Sequence, residues 1–276
     1  MLMKNAFLGF SIWMCLVFAR PLAAATDAEL DQLFESIGMP QTIEIMQQEG
    51  LAHGRTLGGD MLSGGGGDSW AATVARIYDP VKMLQAVQQG FVAEFADADA
   101  APLIVFFASE AGKEIVALEL GARRAFMDAA LEDAAREAYI AMIGSDDARL
   151  ARIAEYVRLN DLIEYNVAGA LNANYMFFTG ITAGGALEMS DAEIIADVWS
   201  QEDTIRQDTD EWMFAYLMLA YRPLSDAQLD SYLALSLTAS GKALNRALFA
   251  GFDRMYSDVS LALGLAIAAR MAESDL

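Results

Sequence analysis

The sequence predicts an all-α protein made of two tandem, duplicated helical halves after a cleaved signal peptide. Three observations lead to this prediction. Apolar residues recur with helical spacing, strand and hairpin signals are scarce, and short motifs recur in the same order about 129 positions apart. Apolar residues make up 55% of the chain, which is too many for a disordered protein.

The first 25 residues have the pattern of a secretory signal peptide. Lys4 supplies the positive charge, an apolar stretch follows from Ala6 to Ala19, and three alanines end at Ala25. The stretch is shorter than the roughly 20 apolar residues that a membrane span needs. We therefore expect export to the periplasm. The only cysteine, Cys15, would leave with the peptide, so the mature chain would lack disulfides and thiolate sites.

The rest of the chain predicts a duplication, with one copy at 26–145 and the other at 146–276. Trp70 and Trp199 are 129 positions apart, as are Lys113 and Lys242. The corner Gly-x-Thr-x-Gly-Gly at 180–185 resembles residues 54–59 at a spacing of 126. Because the matches keep their order, we interpret each copy as a helical bundle-like half.

Each copy is expected to contain a helix, a tight corner and a longer helix. In the second copy, Thr238 ends one helix and caps the next, because its hydroxyl can accept from backbone N–H groups. Gly241 would allow the two helices to approach closely. Lys242 would lie near the carbonyl groups that end the preceding helix.

The first copy has the same pattern in Ser109, Gly112 and Lys113, with Asp97 or Asp99 capping the helix before the corner. A Ser–Lys catalytic dyad needs a free hydroxyl and a desolvated lysine. A capping serine has its oxygen occupied. We therefore interpret the motif as structural.

Residues 106–113, FFASEAGK, resemble the signature of a bacterial family of exported helical proteins, the domain of unknown function number twenty fifty-nine. The sequence has Phe107 where the family often has Tyr, and Glu110 where it has Pro. The second copy departs further, with Ser236 at the aromatic position and Thr238 for Ser. The resemblance implies a periplasmic α-helical domain in two copies, without an assigned activity or catalytic residues.

Two groups of carboxylates are candidates for calcium binding or for a paired acid and base. They cannot be distinguished from a solvated acidic face by sequence alone. The groups are Asp208, Asp210 and Glu211, and Asp128 with Glu132. His53 is the only histidine, so a histidine metal site or triad lacks ligands. We predict no metal and no cofactor.

The formal net charge of −21 argues against nucleic acid and anionic membranes as partners. Residues 165–187 carry no charge and are long enough to span a bilayer, but their asparagines favour a buried helix. In that helix, Met176, Phe177 and Phe178 could line an apolar groove for a lipid tail or a partner helix. We predict no integral membrane span in the mature chain.

The sequence thus favours a non-catalytic binding protein rather than an enzyme. Its partner would be another envelope protein or an apolar ligand. The alternative is a carboxylate-dependent hydrolase, with or without calcium. Neither the partner nor the oligomeric state follows from the sequence.

Overall fold

The computed structural model describes residues 25–274, which are helical apart from short connections and contain no β-strand. The all-α prediction is confirmed. Residues 1–24, and with them nearly all of the predicted signal peptide, lie outside the described residues. The α-helices are α1 Asp27–Ser36, α2 Met39–Met61, α3 Gly67–Ile77, α4 Pro80–Phe95, α5 Ala101–Ala108, α6 Glu110–Ala125, α7 Ala129–Met142, α8 Ala148–Leu159, α9 Leu162–Ala183, α10 Asp191–Trp199, α11 Glu202–Tyr221, α12 Asp226–Leu237 and α13 Ala239–Ser274.

Local sequence signals explain where many of these helices begin. Thr26, Ser190 and Ser225 each form a capping box. The hydroxyl accepts from the backbone N–H of the third helical residue, and the side chain of that residue accepts from the backbone N–H of the capping residue. Asp79 and Asp147 cap α4 and α8 through their carboxylates. The run of glycines before α3 forms a 3-10 turn at Ser63–Gly66, where the glycines have positive φ.

The two predicted copies begin with the same order of long and short helices. Helices α2 and α9 have 23 and 22 residues, and each is followed by a short helix, a longer one and another short one. The copies then differ. The first ends in α6 and α7, separated at residues 126–128, whereas the second ends in the single 36-residue helix α13. This order agrees with a duplication, which stays a prediction.

The last helices of the two copies pack against the opposite copy. Helix α13 packs along α4 as well as α9, and α6 and α7 pack against α11. One hydrophobic cluster therefore joins Leu33 and Phe91 to Ala247 and Ile267. A second cluster joins Ile115 of α6 to residues of α8, α11 and α12. The predicted boundary at residue 145 lies between α7 and α8, but the cores extend across it.

Helix α13 approaches α4 and α9 closely because glycines lie at both crossings. Gly251 faces α4, where a Cβ on Gly90 would lie 2.8 Å from the Gly251 Cα. Gly264 faces α9, where a Cβ on Gly180 would lie 3.0 Å from the Gly264 Cα. Any larger side chain would push the helices apart. These glycines allow α13 to lie at the centre of the protein.

By length and composition alone, α13 is also the one described helix that could cross a membrane, over Ala239–Glu273. Its side chains Ala247, Met255 and Ile267 are nearly fully buried against other helices. About 33% of the apolar stretch of α13 is buried in this way, and the rest is at least partly exposed. The prediction that the mature chain lacks a membrane span is not tested by this packing.

Candidate functional site

The first Gly-Lys motif forms a capped corner between α5 and α6. The Ser109 hydroxyl donates to the Phe106 carbonyl at 2.6 Å and accepts from the Gly112 N–H at 3.1 Å. A Cβ on Gly112 would lie 2.6 Å from the Phe107 Cα, so only glycine fits without a shift. The Lys113 side chain is mostly exposed and lies 4.0 Å from Glu110. The hydroxyl is thus engaged on both sides by backbone groups.

The second motif has the same geometry between α12 and α13. The Thr238 hydroxyl donates to the Leu235 carbonyl at 2.7 Å and accepts from the Gly241 N–H at 2.9 Å. A Cβ on Gly241 would lie 2.9 Å from the Ser236 Cα. Lys242 is exposed. The two corners therefore pack helix against helix in the same way, and neither presents a free nucleophile.

The two groups of candidate carboxylates meet where α7 packs against α11. The Asp128 carboxylate caps α7 by accepting from the Ala130 N–H at 3.0 Å. Arg136 lies 2.8 Å from Glu132 and 3.0 Å from Asp208. The guanidinium therefore joins the two groups and supplies the positive charge between them.

The remaining acidic candidates also have partners. The Tyr139 hydroxyl donates to Asp210 at 3.0 Å, and Gln207 donates to Glu211 at 3.0 Å. His53 is exposed on α2. Within residues 25–274, no group of three His, Cys, Asp or Glu side chains is arranged to hold a metal ion. Calcium binding by these groups stays untested.

The predicted groove residues lie in the middle of α9. Phe177 packs against the larger hydrophobic cluster, and its ring meets that of Phe178 edge to face with centroids 5.9 Å apart. Met176 is half-buried. A cavity does adjoin α9, but its lining begins one residue earlier, at Tyr175, and continues toward the start of the helix. The groove at Met176, Phe177 and Phe178 stays a prediction.

The sequence did not indicate a cluster of tyrosines around Glu119 of α6. The Tyr221 hydroxyl donates to the Glu119 carboxylate at 2.6 Å, and the Tyr216 hydroxyl donates to the Glu119 carbonyl at 3.0 Å. The ring of Tyr232 lies 5.4 Å from that of Tyr156 and 6.1 Å from that of Tyr221. These side chains come from α6, α8, α11 and α12, so no local pattern could predict their contact.

Burial raises the pKa of the Glu119 carboxyl above its ordinary value, and hydrogen bonds from Tyr221 and Tyr232 offset this in part. Burial together with the nearby Glu119 charge raises the pKa of Tyr156 to about 12. One turn further along α6, Arg123 holds Glu49 of α2 through two hydrogen bonds of 2.9 and 2.8 Å. The cluster is a polar contact between the copies, and its carboxylate lines neither of the two cavities described below.

Helix α10 exposes an apolar stripe to solvent. Ile195 and Trp199 are 45% and 59% exposed, whereas Ile194 and Val198 on the opposite face are buried in the core. Spacing of three and four residues places the exposed side chains on one face. The stripe consists of Ala192, Ile195, Ala196 and Trp199. Helix α10 therefore has two apolar faces, and the rest of the protein covers only one of them.

A cavity of about 350 Å³ lies beside this stripe, between α9, α10 and α11. Its three charged side chains form one ion-pair network with a net charge of −1, because Arg206 lies 2.6 Å from Glu164 and 3.0 Å from Glu202. A space of this size falls within the range of ligand cavities. Its apolar lining consists of Val167, Ala168, Leu171, Ile195, Val198 and Trp199.

Residues 81–138 match a family model. It is described as "Uncharacterized protein conserved in bacteria (DUF2059)", and the match covers most of α4, all of α5 and α6, and most of α7. The resemblance to this family is thereby confirmed for residues 81–138, whereas the signature and the two copies stay predictions. The matched segment does not reach the second copy, and the description assigns no activity. No curated protein and no solved structure matches the chain.

Proposed function

We propose that this protein is a non-catalytic binding protein of the bacterial periplasm, and that α10 binds another envelope protein. Its partner would be a segment with both apolar and basic side chains. The observation that carries the proposal is the exposed stripe ending in Trp199, next to the cavity between α9 and α11. Tryptophan is among the residues that contribute most to protein interfaces.

The composition of the surface around the stripe favours a basic partner. Asp191, Glu193 and Asp197 are exposed on α10 itself. The whole chain has 39 acidic and 18 basic residues. A basic segment would therefore be attracted, and an acidic one repelled.

The arrangement of the candidate carboxylates supports binding rather than hydrolysis. Glu132 and Asp208 share Arg136, and Asp210 accepts from Tyr139. A hydrolytic pair needs two carboxylates facing one cleft with a substrate between them. The groove beside Trp199 has apolar walls and acids already paired with Arg206.

A titration with defined peptides tests this proposal. We expect an amphipathic helical peptide of leucine and lysine to bind the mature protein and to change the fluorescence of Trp199. The Trp199→Ala variant should bind it at least about tenfold more weakly, since an interface tryptophan commonly accounts for more than 1.4 kcal/mol. Binding in this variant is followed by calorimetry.

The controls separate the stripe from general charge attraction. A matched peptide of leucine and glutamate should not bind, and Val105→Ala, which removes an exposed apolar side chain of α5, should leave affinity unchanged. A photo-crosslinking residue at Ile195 should capture a partner in living cells only while Trp199 is present. Equal binding by wild type and Trp199→Ala would refute the proposed surface.

A further inference from the structure

A second cavity, of about 420 Å³, lies between α3, α4 and α13. Two of the side chains that line it, Met83 and Met255, belong to the core and are nearly fully buried. Methionine side chains adapt to ligands of irregular shape. Its apolar lining consists of Ile77, Met83, Ala86, Met255, Val259 and Ala262.

Two cations, Arg76 and Lys82, also line this cavity. Arg76 donates to the Thr73 hydroxyl at 3.0 Å, but among the described residues neither cation forms an ion pair. The neighbouring Asp79 carboxylate accepts from the backbone at the start of α4 instead. Asp258 is the one carboxylate in the lining.

The lining of this cavity, with two cations and one carboxylate, differs from the acidic composition of the whole chain. Acidic residues outnumber basic ones by 39 to 18, and the cation of the other cavity, Arg206, is held by two glutamates. The two cations outnumber the single carboxylate Asp258 in the lining, so 2 − 1 leaves a net charge of +1 beside the apolar wall. That combination complements a molecule with an anionic head and an apolar tail.

We propose that the cavity between α3, α4 and α13 binds a single-chain amphiphile with an anionic headgroup, such as a fatty acid. Arg76 and Lys82 hold the headgroup, while the tail lies against Met83, Met255 and Val259. A free amphiphile is favoured over the headgroups of a bilayer, because the tail site is concave and the net charge of −21 repels anionic membranes. The proposal is independent of the α10 surface.

Calorimetry with laurate on the mature protein tests the site. The double variant Arg76→Gln, Lys82→Gln should bind laurate about tenfold more weakly than wild type. The matched control is Arg222→Gln, since Arg222, in the connection between α11 and α12, is another exposed cation that forms no ion pair within residues 25–274. It should leave the dissociation constant unchanged. Between octanoate and laurate, each added CH₂ should tighten binding about fourfold until the tail fills the cavity.

Three further probes make the test decisive. Dodecyltrimethylammonium, with the opposite charge, should bind at least tenfold more weakly than laurate. Ala262→Phe, with its fold checked by circular dichroism, should abolish laurate binding because the ring occupies the cavity. Trp199→Ala should have no effect on it, which distinguishes this site from the proposed partner surface. Equal affinity for both head charges, or binding to anionic vesicles but not to laurate, would overturn the proposal.

Discussion

Trp70 and Trp199, which the predicted duplication aligns at a spacing of 129 positions, have opposite environments. Trp70 is 1% exposed, and its indole N–H donates to the Gly54 carbonyl at 2.7 Å. Trp199 is 59% exposed. Of these two tryptophans, one thus belongs to the core and the other to the surface.

Glycines of the helix before each tryptophan have different neighbours. A Cβ on Gly58 of α2 would lie 2.5 Å from the Trp70 Cδ1, so this glycine makes room for the indole. Gly180 of α9 accommodates α13, because a Cβ on it would lie 2.5 Å from the Leu261 carbonyl oxygen. Trp199 instead lines the cavity beside residues 167–175 of α9.

The first half of the chain thus uses Trp70 for an internal contact, whereas the second half leaves Trp199 on an external surface. Helix α13 packs against α9 and also covers α4. A buried side chain contributes to folding, whereas an exposed tryptophan costs stability little and is available for binding. The three predictions that follow test this contrast, from the largest expected effect to the smallest.

Replacing each tryptophan with alanine should give the largest difference in stability between the two regions. We expect Trp70→Ala to lower the free energy of unfolding by about 3–5 kcal/mol, because it leaves a cavity and removes the hydrogen bond that the indole donates to the Gly54 carbonyl. Trp199→Ala should change it by no more than about 0.5 kcal/mol. Urea denaturation of both variants measures the difference. Similar losses for both would show that Trp199 is part of the core.

The contact of α9 with α13 is tested by two glycines of the same helix. We expect Gly180→Ala to destabilise the protein by about 1–3 kcal/mol, since the new methyl would overlap the backbone of α13. Gly169→Ala is the control, because a Cβ there meets nothing within 4 Å and alanine favours the helix by up to about 1 kcal/mol. If thermal melting shows that Gly180→Ala is neutral, the close crossing is wrong.

The polar contact between the copies should give the smallest effect, visible as a pH dependence. Because burial raises the pKa of Glu119, the folded protein holds this proton to higher pH than the unfolded chain does. The unfolding free energy should therefore fall as pH rises above the ordinary value of 4.5, and Glu119→Gln should lack this component. The measurement is the difference between wild type and variant in urea denaturation at several pH values.

Glu110→Gln is the control for that measurement, since the Glu110 side chain is fully exposed on the same helix. It should follow the wild-type pH profile more closely than Glu119→Gln does. A wild-type profile identical to that of Glu119→Gln would contradict the raised pKa.

Much of the local structure could be predicted from the sequence. The capping box at Ser225, the hydroxyl caps at Ser109 and Thr238 and the helical spacing of apolar residues are short-range signals, so each can be recognised within a few residues. The Glu119 cluster could not be predicted, because its tyrosines come from three other helices. The stripe on α10 was missed for a similar reason. Ile194 and Ile195 are neighbours of the same residue type, and only the packing of other helices buries the first and leaves the second exposed.

The sequence by itself therefore determined the all-α class, the starts of several helices and the two corners that contain Gly112 and Gly241. Only the tertiary structure decided where α13 lies, which tryptophan is buried and which cations stay unpaired beside an apolar cavity. The physical reason is range. Caps and helical periodicity depend on neighbours along the chain, whereas burial and charge pairing depend on helices that are distant in sequence and meet only after folding.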